Sequence, residues 1–212
     1  ACRAACGCIV AIDDLADRPH DADLLVDANL GRLPAHYDGL LPPSARRLVG
    51  PRRALLRPAF AEARQCSLAR RAGGRLRRLL VSLGGADPAS ATVHVLRALA
   101  AAGPGVLPAD ASVTVVMGPL ASTVAEVRAL AATLPWPCTV AVDVDDMRAV
   151  LAEADLAIGA AGGSAWERCC LGLPSLLLVL ADNQRPGTQA LVQAGAALAL
   201  GEVETLPAAL PA

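Results

Sequence analysis

The sequence contains no lysine; all 19 of its basic residues are arginine. That excludes the Walker loop of P-loop NTPases, whose lysine reaches the nucleotide phosphates. Aromatic residues make up only 2% of the chain, so Ala, Leu and Val must fill a core drawn from a hydrophobic fraction of 54%. The arginine clusters at 46–57 and 70–78 have no aromatics between them, unlike the stacking surfaces that hold single-stranded nucleic acid. The net charge is -1, so no global field draws the chain to nucleic acid or to an anionic membrane. The longest apolar run, near Leu176 to Ala181, falls far short of the roughly 20 residues that span a bilayer. The opening "ACRAACGCIVAIDD" has no clear basic start and soon meets two acids, which does not read as a signal peptide. A GxSxG elbow, an HExxH pair and a CxxC pair are also missing, so nothing points to a serine hydrolase or a metalloprotease.

The cysteines number seven, an odd count without disulfide-framework spacing. Cys169 and Cys170 are adjacent in a predicted helix, which suits a reduced, cytoplasmic protein. Cys2, Cys6 and Cys8 lack a fourth metal ligand nearby and read as buried small residues.

The 212 residues are enough for one large or two small domains. "CIVAI" (8–12) reads as a buried parallel strand ending at Asp13 and Asp14, and "DLLVDA" (23–28) as a second strand. Residues 31–60 are rich in Pro, Gly and Arg and read as an extended connection, with a helix following over 61–72. From Arg78 onward strands and helices alternate. The strands are 78–83, 112–117, 138–143, 155–160, 174–181 and 196–201. The helices are 89–102, 121–134, 146–154, 164–172 and 187–195. Such alternation predicts an α/β fold with an open, parallel, doubly wound sheet. Ligands then sit beyond the carboxyl ends of the strands, where strand order reverses.

The loops at those ends carry the candidate chemistry. "IGAAGGSAW" sets Gly159, Gly162, Gly163 and Ser164 between a strand and a helix, an arrangement that suits either a phosphate at the helix start or close packing. Glu167, in the first helical turn, either complements the helix dipole or accepts from a ribose diol. "SLGGADP" repeats the pattern with Gly84 and Gly85, while Asp87 suits a helix cap. "ADNQ" offers Asn183 and Gln184, which can both donate and accept, to a sugar or to solvent. Asp13 and Asp14 read as an acid–base pair or as turn caps. His20, six residues beyond, either joins them or stays solvated, while His94 falls inside a helix and His36 has no assigned partner.

Together, "IDDLADRPHDADLLVDANLG", "LVGPRRALLRPAF", "LLVSLGGADP" and "AIGAAGGSAWERCCLGLPSLLLVLADNQ" resemble the UDP-2,4-diacetamido-2,4,6-trideoxy-β-L-altropyranose hydrolases of pseudaminic acid biosynthesis. The resemblance runs along nearly the whole chain in one order. It implies a GT-B-like, Rossmann-type fold and a UDP-sugar substrate, with no cofactor and no metal. In the implied reaction water replaces UDP at the anomeric carbon by C–O cleavage. It also implies roles: the 159–164 loop for the diphosphate, Glu167 for the ribose, Met147 beside the uracil, Asn183 and Gln184 toward the sugar, and Gly84 and Gly85 lining the cleft. Asp14, in the "IDDLADR" stretch, joins the substrate-binding set. The family's GxGHxxR segment, with the His that activates water, has no counterpart in this chain, and Arg53 stands where the family often has an aromatic. The resemblance therefore implies a fragment, inactive alone, with residues 1–57 from an incomplete first domain and 58–212 as the UDP-binding domain. Nucleic acid and membrane are not expected partners, and a monomer is expected. A GT-B sugar transferase and a non-catalytic nucleotide-sugar binding module are the alternatives.

Overall fold

The computed structural model describes residues 2–206. The chain divides into two compact units, Ala1–Leu56 and Arg57–Ala212. No helix among the described residues is long and apolar enough to cross a membrane.

The smaller unit holds three parallel strands, β1 (Val10–Ile12), β2 (Leu24–Asp27) and β3 (Arg46–Val49), in the order β1-β2-β3. The central strand is the buried one, and Leu25 packs with Ala22, Tyr37 and Leu41. On the edge strand, Val10 and Ile12 are exposed. β3 corrects the reading of residues 31–60 as an extended connection: Leu24 pairs with Arg46, and Asp27 with Val49. "RRLV" carries no strand pattern of its own, so pairing with β2 creates this strand. Helix α1 begins at Pro58, the last part of that same stretch. Cys6 and Cys8 are exposed, which overturns their reading as buried residues. The Cys2 side chain lies outside the described part.

A polar knot ties the ends of β1 and β2 together. The Tyr37 hydroxyl lies 2.9 Å from Asp13 Oδ2 and 2.8 Å from Asp27 Oδ2. Burial and the two acids push the Tyr37 phenol far above its ordinary range, so it stays protonated. Asp27 also accepts from the Asn29 amide and from Arg32 Nε, each at 2.8 Å. Asp13 accepts from the Ala16 amide at 2.8 Å. His20 Nε2 is 3.3 Å from Asp13 Oδ1 but is not aligned as a hydrogen bond. Asp13 is thus a turn cap, and its carboxylate neighbour across Tyr37 is Asp27, whereas Asp14 is exposed.

The larger unit is built from α1 (Pro58–Arg71), β4 (Arg78–Ser82), α2 (Ala91–Ala102), β5 (Ser112–Met117), α3 (Val124–Ala131), β6 (Cys138–Val142), α4 (Met147–Glu153), β7 (Leu156–Ala160), α5 (Ser164–Cys170), β8 (Ser175–Val179), α6 (Arg185–Gln193) and β9 (Leu198–Glu202). Its six strands run in the order β6-β5-β4-β7-β8-β9, and every neighbouring pair is parallel. The expected doubly wound α/β fold is therefore present. The central strands β4 and β7 bury both faces, as strands inside a parallel sheet do. In β4, Leu79 and Val81 pack beneath α2 and α3 with Val93, Leu96 and Val127. Leu80, between them, faces the opposite side with Phe60, Leu151 and Leu171.

Part of the 70–78 arginine cluster serves this packing. Arg71 Nη1 donates to the Ala154 carbonyl at 2.7 Å, and Arg70 pairs with Asp155 at 2.7 Å. Asp155 in turn accepts from the Arg77 and Arg78 amides, each at 2.8 Å. These contacts lock α1 to the start of β7.

Replacing Tyr37 with Phe leaves two buried carboxylates without their shared donor. We expect a loss of roughly 1–3 kcal/mol from the smaller unit, read as lost hydrogen-exchange protection at Leu25 and Val26. Burial alone would raise the Asp13 carboxyl, but the Ala16 amide and Tyr37 hydroxyl outweigh it and hold it below the usual carboxylate range. Its stabilisation is therefore present above the ordinary Asp value and lost as pH falls through the lower folded value. Protection should persist through mild acid and fall only below the usual carboxylate range.

Candidate functional site

β4 and β7 lie side by side at the centre of the sheet, with Ser82 opposite Gly159. From β4 the chain winds outward to β5, and from β7 it winds the other way to β8. Their following loops therefore diverge and leave a crevice at the carboxyl ends, where open α/β sheets bind ligands. The two loops are the glycine-rich ones, Gly84-Gly85 and Gly162-Gly163.

What these glycines are for can be tested by placing a Cβ on each. At Gly84, Gly85, Gly162 and Gly163 it would meet nothing within 4 Å. Only Gly84 among them has a positive φ, +100°. Neither packing nor a positive φ requires glycine at the other three, a property they share with Gly7, Gly73 and Gly105. At Gly159 and Gly118 packing does explain glycine. A Cβ on Gly159 would lie 2.7 Å from Arg168 Nη1. One on Gly118, just after β5, would sit 2.5 Å from the Gly85 Cα.

Arg168 was not singled out from the sequence. It follows Ser164 by four residues, a spacing that puts both on one face of α5. Its side chain is 2% exposed. Nη2 donates to the Ala160 carbonyl at 2.6 Å, and Nη1 donates to Ser164 Oγ at 3.1 Å. The guanidinium thus joins the end of β7 to the start of α5 and brackets the 161–163 loop. Desolvation pushes it down to about 10, so it remains charged at neutral pH. Because α5 has only seven residues, little help from a helix dipole is available, and Arg168 carries the positive charge.

Glu167 is half-buried on the same helix. It has no ion pair or side-chain hydrogen bond among the described residues. Desolvation raises its carboxyl above the ordinary value, partly opposed by Arg57 and Arg168. A half-buried acid without a protein partner is available to hydroxyl donors from a ligand.

The remaining candidates are placed less uniformly. Asn183 is exposed in the turn Asp182–Gln184, beyond β8. Gln184 Oε1 accepts from the Leu180 amide at 3.2 Å, which leaves its NH₂ group free to donate. Asp182 is held by Arg185 at 3.1 Å. Met147 opens α4 beyond the edge strand β6, two strands from the crevice, and packs against the Phe60 cluster. Asp87 is a cap: Oδ1 accepts from the Thr92 amide at 2.9 Å, and Oδ2 from the Thr123 hydroxyl at 2.8 Å. Asp14 belongs to the other unit, where its carbonyl accepts from Asn29 at 2.9 Å and Arg32 at 2.7 Å. The larger unit therefore collects Gly84, Gly85, Gly162, Gly163, Ser164, Glu167, Asn183 and Gln184 on four loops and helix starts at one end of its sheet.

This architecture has known counterparts. The structure is similar to Acinetobacter baumannii MurG, with a TM-score of 0.56 and 18% identity, over 98% of this chain and 58% of that one. It is also similar to the spinosyn rhamnosyltransferase SpnG complexed with thymidine diphosphate, with a TM-score of 0.50 and 25% identity, over 85% of this chain and 44% of that one. The fold is GT-B-like. In sequence, the chain is 32% identical over 164 residues to the spore coat polysaccharide biosynthesis protein SpsG of Bacillus subtilis (strain 168), covering 77% of this chain and 46% of that protein. The chain thus spans about half the length of the proteins it resembles. No family model matches it.

The close fit of Arg168 against Gly159 gives a first test. A Gly159→Ala substitution drives a methyl group into the guanidinium. It should destabilise the larger unit by roughly 1–3 kcal/mol, measured by denaturant unfolding.

Proposed function

We propose that the larger unit binds UDP at the crevice between β4 and β7, as the leaving-group side of a UDP-sugar hydrolase. The observation that carries this reading is the set of glycines at 85, 162 and 163, which the fold itself does not require. Bare backbone there admits a diphosphate, and the Ser164 hydroxyl and the buried Arg168 charge suit its oxygens. Glu167, unpaired and half-buried, suits the two hydroxyls of the ribose. Asn183 and the Gln184 NH₂ group suit the sugar, including an acetamido group. The thymidine diphosphate in the SpnG complex is a nucleoside diphosphate held by a protein of similar fold, and the name of SpsG refers to polysaccharide biosynthesis. Both support a nucleotide-sugar ligand.

The substrate in this reading is a UDP-linked 2,4-diacetamido-2,4,6-trideoxy sugar, and the reaction is attack of water at the anomeric carbon with departure of UDP. Met147 and Asp14 remain proposed substrate contacts, resting on the resemblance alone. No residue of this chain is assigned to activate water; His20 lies against Asp13, 3.3 Å away, and the GxGHxxR segment does not occur here. The chain should therefore bind UDP while turning over the UDP-sugar at background rate. Turnover abolished by His20→Ala would contradict that assignment.

A second reading, a GT-B sugar transferase, is favoured by the likeness to SpnG. It predicts that UDP release requires a sugar or aglycone acceptor. Hydrolysis predicts release in water alone once a water-activating segment is supplied.

Glycine substitutions separate binding from folding. Gly162→Ala should leave the melting temperature unchanged, since its methyl group meets no protein atom, yet weaken UDP binding about tenfold. Glu167→Ala should also weaken UDP binding about tenfold, the effect of losing a charge-assisted hydrogen bond worth about 1.5 kcal/mol. Calorimetric titration reads both. Because the Glu167 carboxyl is raised, wild-type affinity should fall as pH drops through a range above the ordinary Glu value, and Glu167→Gln should lose that component.

A further inference from the structure

Arginine is almost never fully buried without a counter-charge, because removing its charge from water is expensive. Arg168 breaks that pattern. It is 2% exposed, and no carboxylate among the described residues lies within ion-pair distance. Two of its nitrogens reach neutral oxygens, Ala160 O and Ser164 Oγ. Nε is buried and has no partner among the described residues. The neighbouring Glu167 influences it only through space.

The contact with Ser164 has a directional consequence. A serine hydroxyl has one hydrogen and two acceptor lone pairs. Because Oγ accepts from Nη1, its hydrogen must point elsewhere. Among the described residues no acceptor takes it, and Ser164 is partly exposed at the end of the 161–163 loop. Ser164 therefore keeps a free O–H donor at the loop, beside the positive charge of the buried guanidinium.

We propose that Arg168 is the positioning residue for the diphosphate: it orients the Ser164 hydroxyl toward the anion, and its unpaired charge is neutralised only when that anion is bound. The inference rests on the reading of this loop as the diphosphate site. A purely structural brace makes a different prediction, since it would stabilise the empty protein and treat all ligands alike.

The test titrates the 212-residue chain with UDP and with uridine, for the wild type, Arg168→Met, Arg168→Lys, Ser164→Ala and the Arg168→Lys/Ser164→Ala double variant. Arg168→Met should weaken UDP about a hundredfold and uridine less than about twofold, without lowering the melting temperature of the unliganded chain. Arg168→Lys and Ser164→Ala should each weaken UDP about tenfold. If the arginine acts through the serine, the double variant should be little worse than either single one. Should Arg168→Met fail to fold, the lysine and serine variants decide the matter alone. If the wild type binds UDP but the lysine and serine variants bind it as tightly, the inference is overturned. Equal weakening of UDP and uridine overturns it as well. A wild type that does not bind UDP instead removes the site reading, and this inference with it.

Discussion

Between β4 and β7 the chain reverses its winding, and the site depends on that constraint. The crossover after β4 runs to α2 on one face of the sheet, and the one after β7 runs to α5 on the other. Two neighbouring strands thus send their loops apart at their carboxyl ends. Hydrophobic alternation enforces the arrangement, because Leu79 and Val81 must be covered from one side and Leu80 from the other. The crevice comes from the reversal of strand order between β4 and β7. Its contents are what this sequence chooses.

Those contents include groups that the described residues leave without ion-pair partners. Three glycines stand where alanine would fit. Glu167 and Arg168 are both pushed toward their neutral forms by burial, the acid upward and the base downward. They are sequence neighbours on one helix, yet they form no ion pair with each other. Charges held in this way, in a crevice, mark functional sites more often than structural ones. By contrast, buried acids elsewhere are engaged: Asp13 and Asp27 share Tyr37, and Asp87 accepts from the Thr92 amide and the Thr123 hydroxyl.

Much of the larger unit was legible in the sequence because its strands are short apolar runs and its helices carry regular periodicity. Each strand after Arg78 was found to within a few residues. β3 was not, because "RRLV" becomes a strand only through its pairing with β2. The loops of the candidate site could be placed from topology, and Glu167 could be named from its turn. Its lack of a partner could not, since that depends on what folds around it. Arg168 was invisible for a related reason: an arginine in a short helix next to a glutamate reads as a surface residue. Only the bare Gly159 beneath it and the Ala160 carbonyl beside it show that the side chain turns inward. Asp14 and Asp13 show the limit at single-residue scale, since adjacent identical residues point one to solvent and the other into the knot with Tyr37.

The central claim is that a nucleoside diphosphate sits between the Gly84-Gly85 and Gly162-Gly163 loops. A crystal structure of the chain with UDP tests it most directly. The account predicts diphosphate oxygens within hydrogen-bond distance of Ser164 Oγ and the ribose hydroxyls on Glu167. Diphosphate density at the opposite end of the sheet, or an unoccupied crevice in a UDP-saturated crystal, would contradict it.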